Sequence, residues 1–230
     1  MTGPKSCWIC GAEATSREHR TKRSDLKSLL GERTQADPFM LHSDTSKNRI
    51  VGSLNADKLK WSTPICADCN NRRTQPFDLA WEQLSGALRG HRPNLRSGMV
   101  VRVNRIFRTS TRDAMLMVHL FFAKQFGCYI SDAGAPIPLD TFSEAILNRR
   151  AHPNLYLKFK VTDSDPRILA SGSHLHLAMV AETKEPRFAA WVYQVGRLEV
   201  MAMYAAEGEM RDGLVGAWHP RLGTTKLIID

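Results

Sequence analysis

Two Cys-x-x-Cys pairs, Cys7/Cys10 and Cys66/Cys69, constrain this chain more than any other feature. Thiolates at that spacing curl round one edge of a Zn²⁺ ion, and two such pairs close a tetrahedral shell, so segments far apart in sequence are expected to meet at one point. Two short charged motifs ride on the pairs: Glu18-His19 after the first and Asn70-Asn71-Arg72-Arg73 after the second. A zinc staple would draw these motifs together. Because all four ligand positions are cysteine, the zinc keeps no open site for water, and any hydrolytic chemistry must lie beside it on other groups. The fifth cysteine, Cys128, stands alone near Phe126 and Tyr129 and reads as a buried structural thiol.

The chain has 230 residues, of which 43% are apolar, enough to bury a proper core. Its formal net charge of +9 favours a polyanionic partner, with nucleic acid the first candidate. Sixteen Lys and Arg against ten Asp and Glu fall before residue 97, so the surplus is concentrated where the metal-like motifs lie. No apolar run approaches the about 18 residues needed to span a bilayer, and Met1-Thr2-Gly3-Pro4-Lys5 lacks the apolar core of a signal peptide. A cytoplasmic protein is the expectation, and in a reducing compartment metal explains the cysteine pairs better than disulfides do.

The pattern of turns and apolar periodicity predicts an α+β protein in two parts, 1–92 and 97–230, joined through the Arg-, Pro- and Gly-rich stretch from Arg89 to Gly98. Ser24-Asp25 is placed to cap a short helix through Leu26, Leu29 and Leu30 that Gly31 ends. From Glu32 to Lys60 the chain is polar and irregular, suiting a long loop or short hairpin pieces. A helix opens at the second cysteine pair, is kinked or restarted at Pro76, and carries Leu79, Trp81, Leu84 and Leu88 as its apolar stripe. Beyond the linker the reading is a strand over Val100 to Phe107, helices over Thr111 to Phe126 and Phe142 to Arg149, and strands at Leu155 to Val161, His174 to Val180, Phe188 to Val195, Leu198 to Tyr204 and Leu227 to Ile229. Gly196-Arg197 reads as a tight hairpin turn, and the sheet as mainly antiparallel. His119, among Met115, Met117, Leu120 and Phe122, belongs to the core, and His174 and His176 are ordinary strand residues.

Hydrolysing a phosphodiester calls for an activated water, a cation near the transferring phosphoryl group, and donors that hold the backbone. His19 titrates in the range needed to take a proton from water. Glu18 and Asn70 offer the hard oxygens that Mg²⁺ or Mn²⁺ prefers. Arg20, Lys22, Arg23, Arg72 and Arg73 are candidate phosphate clamps. His42 is a further candidate for either metal.

The order Cys7-x-x-Cys10, Glu18-His19, Cys66-x-x-Cys69-Asn70-x-x-Arg73 resembles the HNH endonucleases over about residues 5 to 90. The resemblance implies a ββα-metal fold with a four-cysteine structural zinc at Cys7, Cys10, Cys66 and Cys69. It also implies His19 as general base, and Glu18 and Asn70 as ligands of a catalytic Mg²⁺ or Mn²⁺. Arg73 stands where the family has lysine, and Asn71 competes with Asn70 for the ligand role. The family's supporting Asn on the second strand is replaced by Lys60-Trp61, with Asn55 as the available substitute. The expected activity is metal-dependent hydrolysis of DNA, in a bacterial or phage defence or mobile-element setting. A homodimer and a regulatory partner protein are the further expected partners, and the second part is left to target recognition, dimerisation or sensing. The alternative is a zinc-dependent nucleic-acid-binding protein without catalysis.

Overall fold

The computed structural model describes residues 5–43, 46–90, 95–163, 168–223 and 225–230. In chain order its elements are α1 (Arg23–Leu30), β1 (Phe39–Ser43), β2 (Ser46–Val51), a π-helical turn (Asp68–Arg73), α2 (Gln75–Gly90), β3 (Met99–Arg102), α3 (Thr111–Ala133), α4 (Asp140–Leu147), β4 (Leu155–Val161), β5 (Ala170–Gly172), β6 (His176–Met179), β7 (Pro186–Val195), β8 (Leu198–Ala205) and β9 (Lys226–Ile229). The α+β class and the mainly antiparallel sheet agree with the sequence. Strand order is β3-β9-β4-β8-β7-β5, β6 pairs β7 as well, and β4 with β9 is the parallel pair among the described strands. Gly196, at φ 59, lets β7 turn straight into β8 in two residues, as its position in the sequence suggested. No helix among the described residues is long and apolar enough to cross a membrane.

The organising element is α3. A helix that is apolar all round has no face to give to water, and from Val118 to Cys128 every residue of α3 is buried. Its rings meet α2 and the sheet together: Trp81 of α2 stacks on Phe121 at 5.4 Å, and Tyr193 of β7 lies edge-on to Phe122 at 5.8 Å. Trp61, from the segment before the second cysteine pair, stacks on Tyr129 at 4.7 Å and meets Trp191 of β7 at 6.1 Å. One apolar core therefore runs from Cys7 to Ile229, and the expected division into 1–92 and 97–230 does not correspond to two cores. Residues 91–94 of the expected linker lie outside the described residues.

Local readings changed where tertiary contacts override periodicity. α3 does not stop at Phe126. It runs to Ala133 and ends on Gly134, at φ 60. Gly127, just past the expected end, is inside the helix, and Trp8 packs on it so closely that an added Cβ would sit 2.3 Å from the indole. In α2 the buried stripe is Phe77, Trp81, Leu84 and Leu88, whereas Leu79 is 55% exposed. The Val100 to Phe107 strand is cut to Met99–Arg102 because Ile106 and Phe107 both donate back to the Val103 carbonyl and turn the chain.

Asp25 departs most from expectation. It caps nothing: the N-cap of α1 is Lys22, and Asp25 is 1% exposed. Its carboxylate accepts from Trp81 Nε1 at 2.7 Å, Tyr193 Oη at 2.7 Å, Arg89 at 3.0 Å and Ser85 Oγ at 3.3 Å. One buried charge thus ties α1 to α2 and β7. Removing it strands buried donors and the Arg89 charge, so Asp25→Ala is expected to lower unfolding stability by about 3–5 kcal/mol. Denaturant titration of the two proteins measures it.

His119, His152 and His219 form a second buried polar group. The His152 amide donates to His119 Nε2 at 3.1 Å, the His119 and His219 rings are 5.1 Å apart, and His219 Nε2 bonds the His152 carbonyl at 3.0 Å. Burial pushes His152 down to about 4 and lowers His119 and His219 as well, with the neighbouring imidazoles adding to the shift of the first two. The folded state then binds fewer protons than the unfolded chain, whose histidines titrate near ~6.5, so the stability these rings contribute is present above that pH and lost below it. Melting temperature should fall as pH drops from ~6.5 towards ~4, and His152→Gln should flatten that dependence in a pH series of thermal melts.

Candidate functional site

The first cysteine pair sits on a short knuckle. Ser6 bridges Glu13, the Cys7 amide donates to the Ala12 carbonyl at 2.7 Å, and Gly11 turns the chain at φ 77 with its own amide on the Cys7 carbonyl at 2.8 Å. The second pair opens the helical turn: the Cys69 amide donates to Cys66 Sγ at 3.3 Å, and the Asn70 amide to the Cys66 carbonyl at 2.9 Å. All four sulfurs lie within 4.8 Å of one another, with Cys10 and Cys66 at 3.5 Å. Sulfurs around a tetrahedral zinc stand about 3.8 Å apart, so the donor set fits that ion. Burial raises the Cys7 and Cys69 thiols, and such a group is ionised readily only against a bound cation. Cys128 is fully buried and its thiol is pushed up by that burial, which agrees with a structural role.

Glu18-His19 lies on a two-stranded ladder with the segment before Cys66. Ser16 bridges Ile65 and His19 bridges Lys60, while the Trp61 amide donates to the Glu18 carbonyl at 2.9 Å and the Arg20 amide to the Leu59 carbonyl at 2.8 Å. His19 is half-buried, and its Nε2 is 3.0 Å from the Leu54 carbonyl oxygen. A carbonyl can only accept, so Nε2 carries the proton and Nδ1 keeps the lone pair of the neutral ring. Burial lowers the proton affinity of His19, opposed by the Leu54 carbonyl and the Glu18 charge, and the ring is neutral near pH 7. Leu54 is itself anchored by burial with Leu26, Val51 and Leu59. The expected substitute, Asn55, is exposed, and its backbone amide bonds Ser53 Oγ at 3.2 Å. The contact that orients His19 is thus a main-chain carbonyl, which no residue type announces.

Glu18 is arranged differently from expectation. It is 8% exposed, and its carboxylate is held by three donors: Lys124 Nζ at 2.8 Å, the His19 amide at 3.1 Å and Gln125 Nε2 at 3.4 Å. It faces the core of α3, and the four cysteines are the one group of three or more Cys, His, Asp or Glu ligand atoms brought together among the described residues. Asn70 and Asn71 are separated by the geometry. Asn70 reaches back to the ladder, donating to Ser16 Oγ at 2.6 Å and the Arg17 carbonyl at 3.3 Å, while Asn71 is exposed and bonds the Ala67 carbonyl at 2.9 Å. His42 lies on β1, away from the cysteine cluster, with Nδ1 accepting from the Asn48 amide at 3.4 Å.

The predicted phosphate clamps divide into committed and open groups. Arg20 bonds the Lys60 carbonyl at 3.2 Å, pairs with Asp132 at 3.3 Å and covers the Trp61 ring at 4.8 Å. Lys22 stands between Glu82 at 3.2 Å and Asp78 at 3.7 Å. Arg72 and Arg73 share Asp68, at 2.6 Å and 3.4 Å, although the Arg72 side chain is 85% exposed. Arg23 is exposed and near enough for its charge to lower the proton affinity of His19. An open groove of about 440 Å³ runs beside the helical turn, lined by Lys22, Asn70, Asn71, Arg72, Asp78 and Glu82 among others. Sequence reading missed Lys124, Gln125 and Asp78 as partners of this site. A lone lysine in the apolar run Leu120 to Phe126 was the available signal, since a buried ammonium must find carboxylates.

Compared with protein families, curated proteins and solved structures, the chain matches none.

The cysteine geometry yields a direct expectation. The purified protein should carry one equivalent of zinc by elemental analysis, and Cys69→Ser or a strong chelator should remove it and lower the melting temperature, because zinc binding is then part of folding.

Proposed function

We propose that the protein is a zinc-stapled phosphodiesterase of the HNH endonuclease type, acting on DNA, with His19 as general base. The observation that carries this reading is the His19 ring: Nε2 tied to the Leu54 carbonyl, Nδ1 left as the basic nitrogen, on a ladder beside the four cysteines and Asn70. Zinc held by Cys7, Cys10, Cys66 and Cys69 would fix the scaffold and leave the hydrolysis to other residues. His19 Nδ1 takes a proton from a water as its oxygen forms a bond to phosphorus, the P–O3′ bond breaks in line, and the departing 3′ oxygen takes a proton from solvent. Arg23 and the exposed Arg72 supply positive charge towards the phosphates, and Asn70 ties the helical turn to the ladder so that ring and groove keep one spacing. A single site cuts one strand, so a double-strand break requires two copies or two binding events.

A catalytic Mg²⁺ or Mn²⁺ held by Glu18 and Asn70 does not fit this arrangement, because the Glu18 carboxylate is already held by Lys124, Gln125 and the His19 amide. That same observation favours the second reading, a zinc-dependent DNA-binding protein without catalysis. One comparison separates the two. With supercoiled and single-stranded DNA in Mg²⁺, Mn²⁺ or EDTA, His19→Ala should lose nicking by about 10²–10⁴-fold while keeping zinc and DNA affinity. Wild-type protein that binds DNA and nicks none of it under any of these conditions would favour the binding module, and nicking by His19→Ala at the wild-type rate would remove His19 from the base role.

A further inference from the structure

Lys124 is the one lysine among the described residues whose side chain is fully buried, and it sits on α3, an element outside the segment that carries the cysteines and the Glu-His pair. An ammonium cannot remain charged in such a place without compensation, and this one has three acceptors: Glu18 Oε2 at 2.8 Å, Asp78 Oδ1 at 3.0 Å and Thr74 Oγ1 at 3.2 Å. Those acceptors come from the ladder, from the first turn of α2 and from the residue that joins the π-helical turn to α2. Its neighbour Gln125 accepts from Trp61 Nε1 at 3.1 Å and donates to Glu18 Oε1 at 3.4 Å. Glu18 in turn accepts the backbone amide of His19 at 3.1 Å. A continuous line of contacts therefore runs from α3 through Glu18 to the main chain at His19.

We propose that Lys124, with Gln125, is a positioning residue for His19, and that Glu18 serves as the carboxylate that receives this ammonium and not as the ligand of a divalent ion. The inference rests on the hydrolase reading of His19. It has a simple electrostatic basis. A divalent ion bound to Glu18 at about 2.1 Å would share that carboxylate with an ammonium already 2.8 Å from its Oε2, and two cations on one buried carboxylate repel strongly. The fixed ammonium bridges Glu18 and Asp78 and so occupies the inward face of the Glu18 carboxylate.

Four proteins test it: wild type, Glu18→Gln, Lys124→Met and the double variant, each checked for zinc content and cooperative melting. Lys124→Met should lower kcat by about tenfold or more with KM little changed, because the base is misplaced and the DNA contacts are not. Glu18→Gln should also lower kcat while leaving the Mg²⁺ or Mn²⁺ concentration for half-maximal rate, where the rate responds to these ions, within about twofold, and the double variant should be no worse than the poorer single one. A rise of about tenfold in that metal concentration for Glu18→Gln would restore Glu18 as a ligand and overturn the proposal, as would wild-type kcat in a zinc-loaded, folded Lys124→Met. Should Lys124→Met fail to fold, the double variant, in which the ammonium and the Glu18 charge are both gone and Asp78 keeps Lys22 at 3.7 Å, must regain zinc and cooperative melting for the pairing to stand. If the wild type nicks no DNA, the hydrolase reading fails by itself; the four melting temperatures then judge the pairing, with strong non-additivity supporting it and additive losses contradicting it.

Discussion

A buried ammonium on an apolar helix sets the terms for much of this structure. α3 is enclosed along its middle turns, and Lys124 carries a charge into that enclosure. Burying an ion without partners costs several kcal/mol, so the fold must bring carboxylates to it. Glu18 and Asp78 are the ones brought, the first from the ladder that bears His19 and the second from the start of α2. The geometry of the candidate site is in this sense a consequence of core electrostatics. The four-cysteine knuckle and the helix core are two restraints on the same few residues.

The second restraint acts at close range. The four sulfurs join the knuckle to the helical turn, while Trp8, inside the first Cys-x-x-Cys, lies on Gly127 of α3. The loop from Ser53 to Leu59 completes the frame by offering the Leu54 carbonyl to His19 Nε2. His19 is therefore addressed from two sides, through its ring by Leu54 and through its backbone amide by Glu18. In the proposed hydrolase, such double support keeps the free nitrogen of His19 at one fixed angle to water. Asp25 plays the comparable structural part further out, holding α1 on α2 and β7.

What could be read from the sequence was what local chemistry announces. Cys-x-x-Cys spacing led to the four-sulfur cluster, alternation led to β4, β7 and β8, and Gly196 marked the turn between the last two. What could not be read depended on partners distant in the chain. The expected helix end at Phe126 falls short because the continuation through Gly127 is packed under Trp8, far away in the chain. Asp25 reads as a cap until Trp81 and Tyr193 turn out to donate to it. Glu18 reads as a metal ligand by its place beside His19, and only the position of Lys124 reveals that the carboxylate faces inward. Leu54 acts through its backbone, so its side chain gives no sign of the role.

In the proposed enzyme a cysteine-bound zinc and the buried Lys124–Glu18 pair together hold His19 as a base with Nδ1 free. A crystal structure of the protein grown with Mn²⁺, with anomalous difference maps recorded at the zinc and manganese edges, tests this arrangement. Zinc should appear at Cys7, Cys10, Cys66 and Cys69, Lys124 Nζ against Glu18, and no manganese on the Glu18 carboxylate. Manganese bound to Glu18, with Lys124 displaced from it, would show that Glu18 is a metal ligand after all and that the ammonium does not fix His19.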